Sequence, residues 1–252
     1  MTAVAAKPHF WRLPGVIPVF AMFFLEAFVL GNWIPRIPDV KLAFDFSASQ
    51  LGLSLFVLAS GTMVAFLAGG KMLKRWGLRH SCAMALPAWT LVVFAVPFMP
   101  NGMVLAVLLF LGGLSIGLLE VAMNTAADRL EKVTERRLMS KAHGFWSLGS
   151  LVGALVGGAI GGWGMSLAAH FSTVLIPTAL IGLIFALYIP RADDETRKSE
   201  EKKKEATFKL PARGLMLLCL MPIGIMVVEG AFIDWSALFV RDVLAAGALA
   251  RG

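Results

Sequence analysis

Charge is scarce in this 252-residue chain: 15% of its residues are Asp, Glu, Lys or Arg, against 58% apolar. A soluble domain carries about one quarter charged residues, so the composition excludes an ordinary water-soluble fold. A single Tyr stands against eighteen Phe and thirteen Met, a balance that suits lipid-facing helices better than an aqueous surface. The two cysteines, Cys82 and Cys219, lie far apart, each within an apolar stretch. They define neither a disulfide framework nor a metal site and read as small buried hydrophobes. The chain has no Gly-x-x-x-x-Gly-Lys-Ser/Thr loop to cradle nucleotide phosphates. Nor does it have a Ser/His/Asp or paired-His pattern that would mark an enzyme. No cofactor or metal is expected.

What the chain does have is long apolar runs. A helix crossing a bilayer needs about 20 predominantly apolar residues, and seven runs qualify: residues 15–34, 50–70, 81–99, 103–126, 144–162, 171–189 and 214–233. They are apolar all round rather than along one stripe, as lipid requires. Pro35 and Pro38 close the first run, Pro100-Asn101-Gly102 makes a turn between the third and fourth, and Pro190 ends the sixth. Lys7 and Arg12 before the first run imitate a secretory signal. That run is longer than a signal's apolar region, however, and no small-x-small cleavage site follows it. The fold class is all-α, a polytopic membrane protein.

A net charge of +7 could indicate nucleic acid, but its distribution argues against that partner. With the N-terminus in the cytoplasm, nineteen Lys and Arg fall in inside segments. Outside segments hold four: Arg36, Lys41, Arg241 and Arg251. Such an asymmetry is the positive-inside pattern. It orients the chain N-in, with the bacterial inner membrane as the expected location and the lipid bilayer as a partner. Residues 191–213 carry Asp193-Asp194-Glu195 and then Glu200-Glu201-Lys202-Lys203-Lys204-Glu205. A mixed-charge run cannot bury apolar surface and reads as a solvated linker. It separates residues 1–190, with six spans, from residues 214–252, with one.

Three acids interrupt the apolar runs: Glu26, Glu120 and Glu229. A charged side chain at membrane depth costs a few kcal/mol and faces a polar interior rather than lipid. Interiors of that kind conduct or carry something, so the acids point to transport.

Six spans, a charged loop and a seventh span resemble the layout of a Major Facilitator Superfamily transporter. The segment after the second span is the strongest local likeness. Gly70, Arg75, Gly77 and Arg79 match the superfamily signature, while Lys74 stands where an Asp is expected. This resemblance implies a conformational-gating loop, and Lys74 puts the charge relay of that loop in doubt. Further segments resemble the MosC-like or YbjJ-like branch, distant relatives of sugar and fucose permeases. These are Gly31-Asn32-Trp33-Ile34-Pro35-Arg36, Met123-Asn124-Thr125, His143-Gly144-Phe145-Trp146 and Asp234-Trp235-Ser236.

The resemblance implies an N-terminal six-helix bundle followed by the first helix of a second. Inverted repeats then place helices one, four and seven around a midplane cavity, and these carry Glu26, Glu120 and Glu229. Glu26 and Glu120, with Glu229 third, are the expected proton-coupling acids. An acid in a desolvated cavity can load a proton on one side and release it on the other. The competing reading is that an acid merely pairs with a neighbour such as Asn124, four residues from Glu120. Asn32, Trp33, Asn124, Trp146 and Asp234 are candidate contacts to a small polar solute, although Trp33 and Trp146 also suit an interfacial belt. Gly149, Gly153, Gly157 and Gly161 form a small-residue face for helix packing. They also resemble an antiporter signature, with Ala154 where Pro belongs, so symport and antiport stay open. Superfamily members have twelve spans. The expectation is a secondary transporter that needs a missing C-terminal half or a second chain; the alternative is a transport-incompetent half.

Overall fold

The computed structural model describes residues 15–190 and 213–244, and every regular element among them is a helix. The first apolar run forms α1 (Val16–Trp33). A 3₁₀ turn (Ile34–Arg36) and a short helix, α2 (Ile37–Ala43), follow. Pro35 and Pro38 sit in the first turns of these two elements, where a missing N–H is harmless. The prolines therefore redirect the chain after α1 without ending its helical course.

The next helix, α3 (Ala48–Ala95), opens with a capping box in which Ser47 and Gln50 satisfy each other's backbone N–H groups. It is followed by α4 (Gly102–Thr134). The Asn101 side chain caps α4 by accepting from the N–H groups of Met103 and Val104. α5 (Met139–Gly162) has no cap of its own. Instead Glu131 reaches over from α4 and accepts from the N–H groups of Leu138 and Met139, at 2.8 and 2.9 Å. A carboxylate there complements the positive end of the helix. Ser166 caps α6 (Leu167–Leu187), and α7 spans Arg213–Asp242.

α3 contains two of the expected spans, and residues 70–79 require a correction. Rather than forming an open loop, they stay helical on both sides of Gly77, the only residue of α3 with non-helical geometry (φ 73, ψ 164). That combination is essentially reserved for glycine. The break bends α3 back on itself. Neighbouring glycines of α4 touch both arms, Gly112 lying against Trp89 and Gly113 against Gly61. In one straight helix residues 61 and 89 would stand about 42 Å apart. With both arms of α3 counted, the six long apolar helices among the described residues are long enough for seven crossings. The expected linker lies outside the described residues except for Arg213.

Backbones approach closely along two seams. On α5, a Cβ at Gly149 would lie 2.2 Å from the Phe24 carbonyl oxygen of α1, and one at Gly153 would lie 2.4 Å from that of Phe28. Gly31 of α1 faces the same seam, and Gly157 packs on Asn32 and Pro35. Between α3 and α4, a Cβ at Gly61 would collide with the Phe110 carbonyl oxygen and one at Gly113 with that of Leu58, and Gly117 abuts Ala65 and Thr62. Helices one with five and two with four are the pairs that an inverted three-helix repeat makes equivalent. The two seams are counterparts.

Two apolar clusters fill the bundle. The first, at the end where α1 begins, includes Phe20, Phe23, Leu86, Leu119, Met123 and Ile189. The second, at the far end, includes Trp33, Leu51, Trp89, Leu109, Phe171 and Leu238. Gly113→Ala and Gly149→Ala should each lower stability by about 1–3 kcal/mol through overpacking. Gly144→Ala, with nothing within 4 Å of the added methyl, should be neutral. Thermal unfolding of detergent-purified protein checks all three.

Candidate functional site

Glu26 sits where the two clusters meet: Leu25 belongs to the first and Val29 to the second. Its side chain is only 2% exposed. From α4, Glu120 enters the same level, beside Leu119 of the first cluster and one turn from Ile116, which packs on the second. The charge of Glu120 is near enough to act on Glu26. Each has one side-chain donor. The Trp146 indole N–H donates to Glu26 Oε2 at 2.6 Å, and Asn124 Nδ2 donates to Glu120 Oε2 at 2.8 Å. Asn124 also donates to the Glu120 backbone carbonyl, at 2.9 Å.

The glycine seam sets this geometry. Trp146, Gly149 and Gly153 are three and seven residues apart, so they share one face of α5. Because Gly149 and Gly153 bring that face onto α1, the indole reaches Glu26 directly. Among the described residues neither acid has a basic partner within salt-bridge distance. No three His, Cys, Asp or Glu side chains among them converge on a metal-sized site. The chemistry on offer is two adjacent carboxyls, an indole and an amide at mid-bundle.

A second polar cluster lies at the far end, where α1 finishes and α6 starts. Arg36, 4% exposed, donates through Nε to Asp39 (2.6 Å) and through Nη2 to the Met165 carbonyl (2.9 Å). Its Nη1 lies 3.1 Å from His170 Nδ1, and His170 Nε2 lies 3.0 Å from Asn32 Oδ1. Asn32 Nδ2 in turn donates to the Phe28 carbonyl at 2.8 Å. Both ends of the Asn32 amide are thus engaged and the residue is fully buried. Asn32 is a member of this network rather than a free solute contact. Trp33 is 4% exposed within the second cluster, which places it neither in a lipid-facing belt nor in an open cavity.

The remaining candidates are spread out. Glu229 is exposed on α7, away from the acid pair's hydrogen bonds, while Asp234 is half-buried one turn further on. Lys74 and Arg75 are exposed, and a methyl on Gly70 would meet open space. Arg79 donates to the Ile189 carbonyl at 2.9 Å and so ties the second arm of α3 to the end of α6. Gly161 is half-buried near the end of α5, beyond the closest part of the seam. Sequence reasoning passed over Arg36 and His170 as functional residues. The available signals were a cation directly after Asn32-Trp33 and a lone His in the first turn of an apolar span.

The sequence profile described as Major Facilitator Superfamily matches residues 7–250. The chain belongs to this superfamily. The membrane protein MosC of Rhizobium meliloti is 30% identical over 233 residues, covering 90% of this chain and 54% of MosC. An uncharacterized transporter of Sinorhizobium fredii is 29% identical over 226 residues, with 90% and 59% covered. An uncharacterized MFS-type transporter of Yersinia pestis is also 29% identical over 226 residues, with 88% and 56% covered. These likenesses support a place in the MosC-like branch. The chain spans little more than half the length of these relatives. A superfamily member is a multi-pass membrane protein of a transporter class, with no covalent chemistry assigned to it.

Within this superfamily chain the Trp146 indole N–H donates to the buried Glu26 carboxyl. Trp146→Phe should lower stability by about 1–3 kcal/mol, the usual penalty for stranding a buried acceptor. A double-mutant cycle with Glu26→Leu, which removes the acceptor, read by thermal unfolding, should show a coupling energy of about 1 kcal/mol or more.

Proposed function

We propose that this chain forms the N-terminal part of a secondary transporter that moves a small polar solute by alternating access, with Glu26 and Glu120 carrying the coupled proton. What supports this reading is the arrangement of two carboxyls, from α1 and α4, at one level of the bundle, with no cation within salt-bridge distance of either among the described residues. Two like charges in a desolvated site cannot both persist cheaply, so such a pair trades a proton readily when access changes. Trp146 and Asn124 hold the acids in place and present an aromatic face and an amide to a polar, sugar-like solute. Glu229 and Asp234 on α7 are the second bundle's candidate contributions. The basic residues of the sequence orient the chain N-in in a bacterial inner membrane, so the far end, where α1 ends, faces outside.

Gly70, Lys74, Arg75, Gly77 and Arg79 form the inner-side turn in this reading. Gly77 supplies the reversal and Arg79 the tie to α6, which suits a hinge in conformational gating. Whether the solute and proton move together or in exchange is left to the transport assay.

A second reading rests on length, since the chain covers 54–59% of its relatives. Alternating access rocks one bundle against another, so transport then requires a partner bundle, supplied by more chain or by a second copy. Proteoliposomes holding this chain, loaded with a pH-sensitive dye and offered a panel of small polar solutes, separate the two readings. The transporter reading expects solute-dependent proton flux that falls at least tenfold in Glu26→Gln and in Glu120→Gln while thermal stability is kept. Normal flux in both variants would sink the acid pair as carrier. A folded monomer with no flux for any solute supports the incomplete half.

A further inference from the structure

We infer that His170 is a proton-operated latch on the outer junction, where α7 closes against α1 and α2. The argument starts from what each atom can do. A guanidinium only donates hydrogen bonds, so His170 Nδ1, 3.1 Å from Arg36 Nη1, must present its lone pair. The ring hydrogen is then on Nε2, where it donates to Asn32 Oδ1 at 3.0 Å, and the Asn32 amide N–H₂ donates onward to Phe28. The chain of donors and acceptors closes in only one sense. It fixes His170 as the neutral Nε2–H tautomer.

A proton added at Nδ1 sets donor against donor and cation against cation, in a place where His170 has no exposure to water. The closed network and the protonated ring exclude each other. The charged groups acting on His170 are Arg36 and, behind it, Asp39. Asp39 is already bonded to Arg36 Nε, and its bond does not occupy the ring nitrogen. Protonation therefore breaks the Arg36–His170 contact and leaves Arg36 with its bonds to Asp39 and the Met165 carbonyl.

What Arg36 holds is the platform under α7. Arg36 ends the 3₁₀ turn that leads straight into α2. On α2, Pro38 accepts from Arg241 Nη1 at 2.7 Å, and Lys41 pairs with Asp242 at 3.4 Å. Ala237 and Leu238 of α7 are buried at this end, whereas residues 223–229 of α7 are exposed. Together these contacts close the far end of the bundle on α7. Releasing Arg36 from His170 loosens α2 and with it the seat of α7, so acid on the outer side favours an open outer junction. This purpose rests on the alternating-access and N-in readings, but the linkage between the proton and the junction does not.

The test reads geometry rather than transport. Spin labels at Leu42, next to Lys41, and at Leu244, just beyond α7, report the junction in the full chain with Cys82 and Cys219 replaced by alanine. Between pH 8 and pH 4 the distance distribution should gain a longer component. His170→Asn keeps an acceptor toward Arg36 but does not titrate, and should hold the short distance throughout. Arg36→Gln should show the longer component at every pH. In the Glu26→Gln/Glu120→Gln double variant the pH response should survive, which separates the latch from the acid pair as carrier. A pH response that persists in folded His170→Asn, or its absence from the unsubstituted chain, overturns the latch.

Discussion

The arrangement depends on backbone-to-backbone approach at glycine. In lipid no hydrophobic force draws one apolar helix to another, and close packing of small residues supplies much of the attraction. Here Gly31, Gly149, Gly153 and Gly157 join α1 to α5, and Gly61, Gly113 and Gly117 join the first arm of α3 to α4. Bulkier residues at these positions would push the helices apart by the width of a side chain. The polar contacts at both levels of the bundle hang on this spacing. Trp146 reaches Glu26 because Gly149 and Gly153 lie on its face of α5, and Gly157 brings the same helix against Asn32.

The crossings were legible in the sequence because length and continuous apolarity are local properties. So were the turn at Asn101 and the three acids, since each stands out against its own neighbours. Residues 70–79 misled because a cluster of basic residues around Gly77 reads as a loop, although Lys and Arg are good helix formers and one glycine suffices for the reversal. The α1–α5 glycine spacing was visible as a four-residue repeat on one helix. The α3–α4 seam was not, because its glycines are divided between two helices. Asn32 and Trp33 looked like lining residues because polar and aromatic side chains near a span end suit a cavity. Their burial is set by partners 130 or so residues away, such as His170 at a separation of 138. No local pattern announces a pairing of that range.

The two polar clusters differ in how completely they satisfy themselves, and that difference separates their roles. At the far end every member has a defined partner: Arg36 has three, His170 uses both ring nitrogens, and Asn32 uses both ends of its amide. A saturated network is rigid and has two discrete states, made or broken. At mid-bundle each acid has, among the described residues, one side-chain donor and no cation. An under-satisfied site stays open to a proton or a solute.

The placement of Arg36 keeps the two regimes apart. Ten residues separate it from Glu26, about 15 Å along α1. A guanidinium one or two turns from Glu26 would pin the carboxylate in its charged form, since an opposite charge within about 4–6 Å strongly favours ionisation. The proton would then be lost from the site and the pair could no longer exchange it. Arg36 is instead engaged by Asp39, His170 and Met165 at the end of the helix. α1 thus carries the buried acid, and the 3₁₀ turn that follows it carries a cation bonded to α2 and α6. Both proposed roles need that separation, and α1, glycine-seated against α5, maintains it.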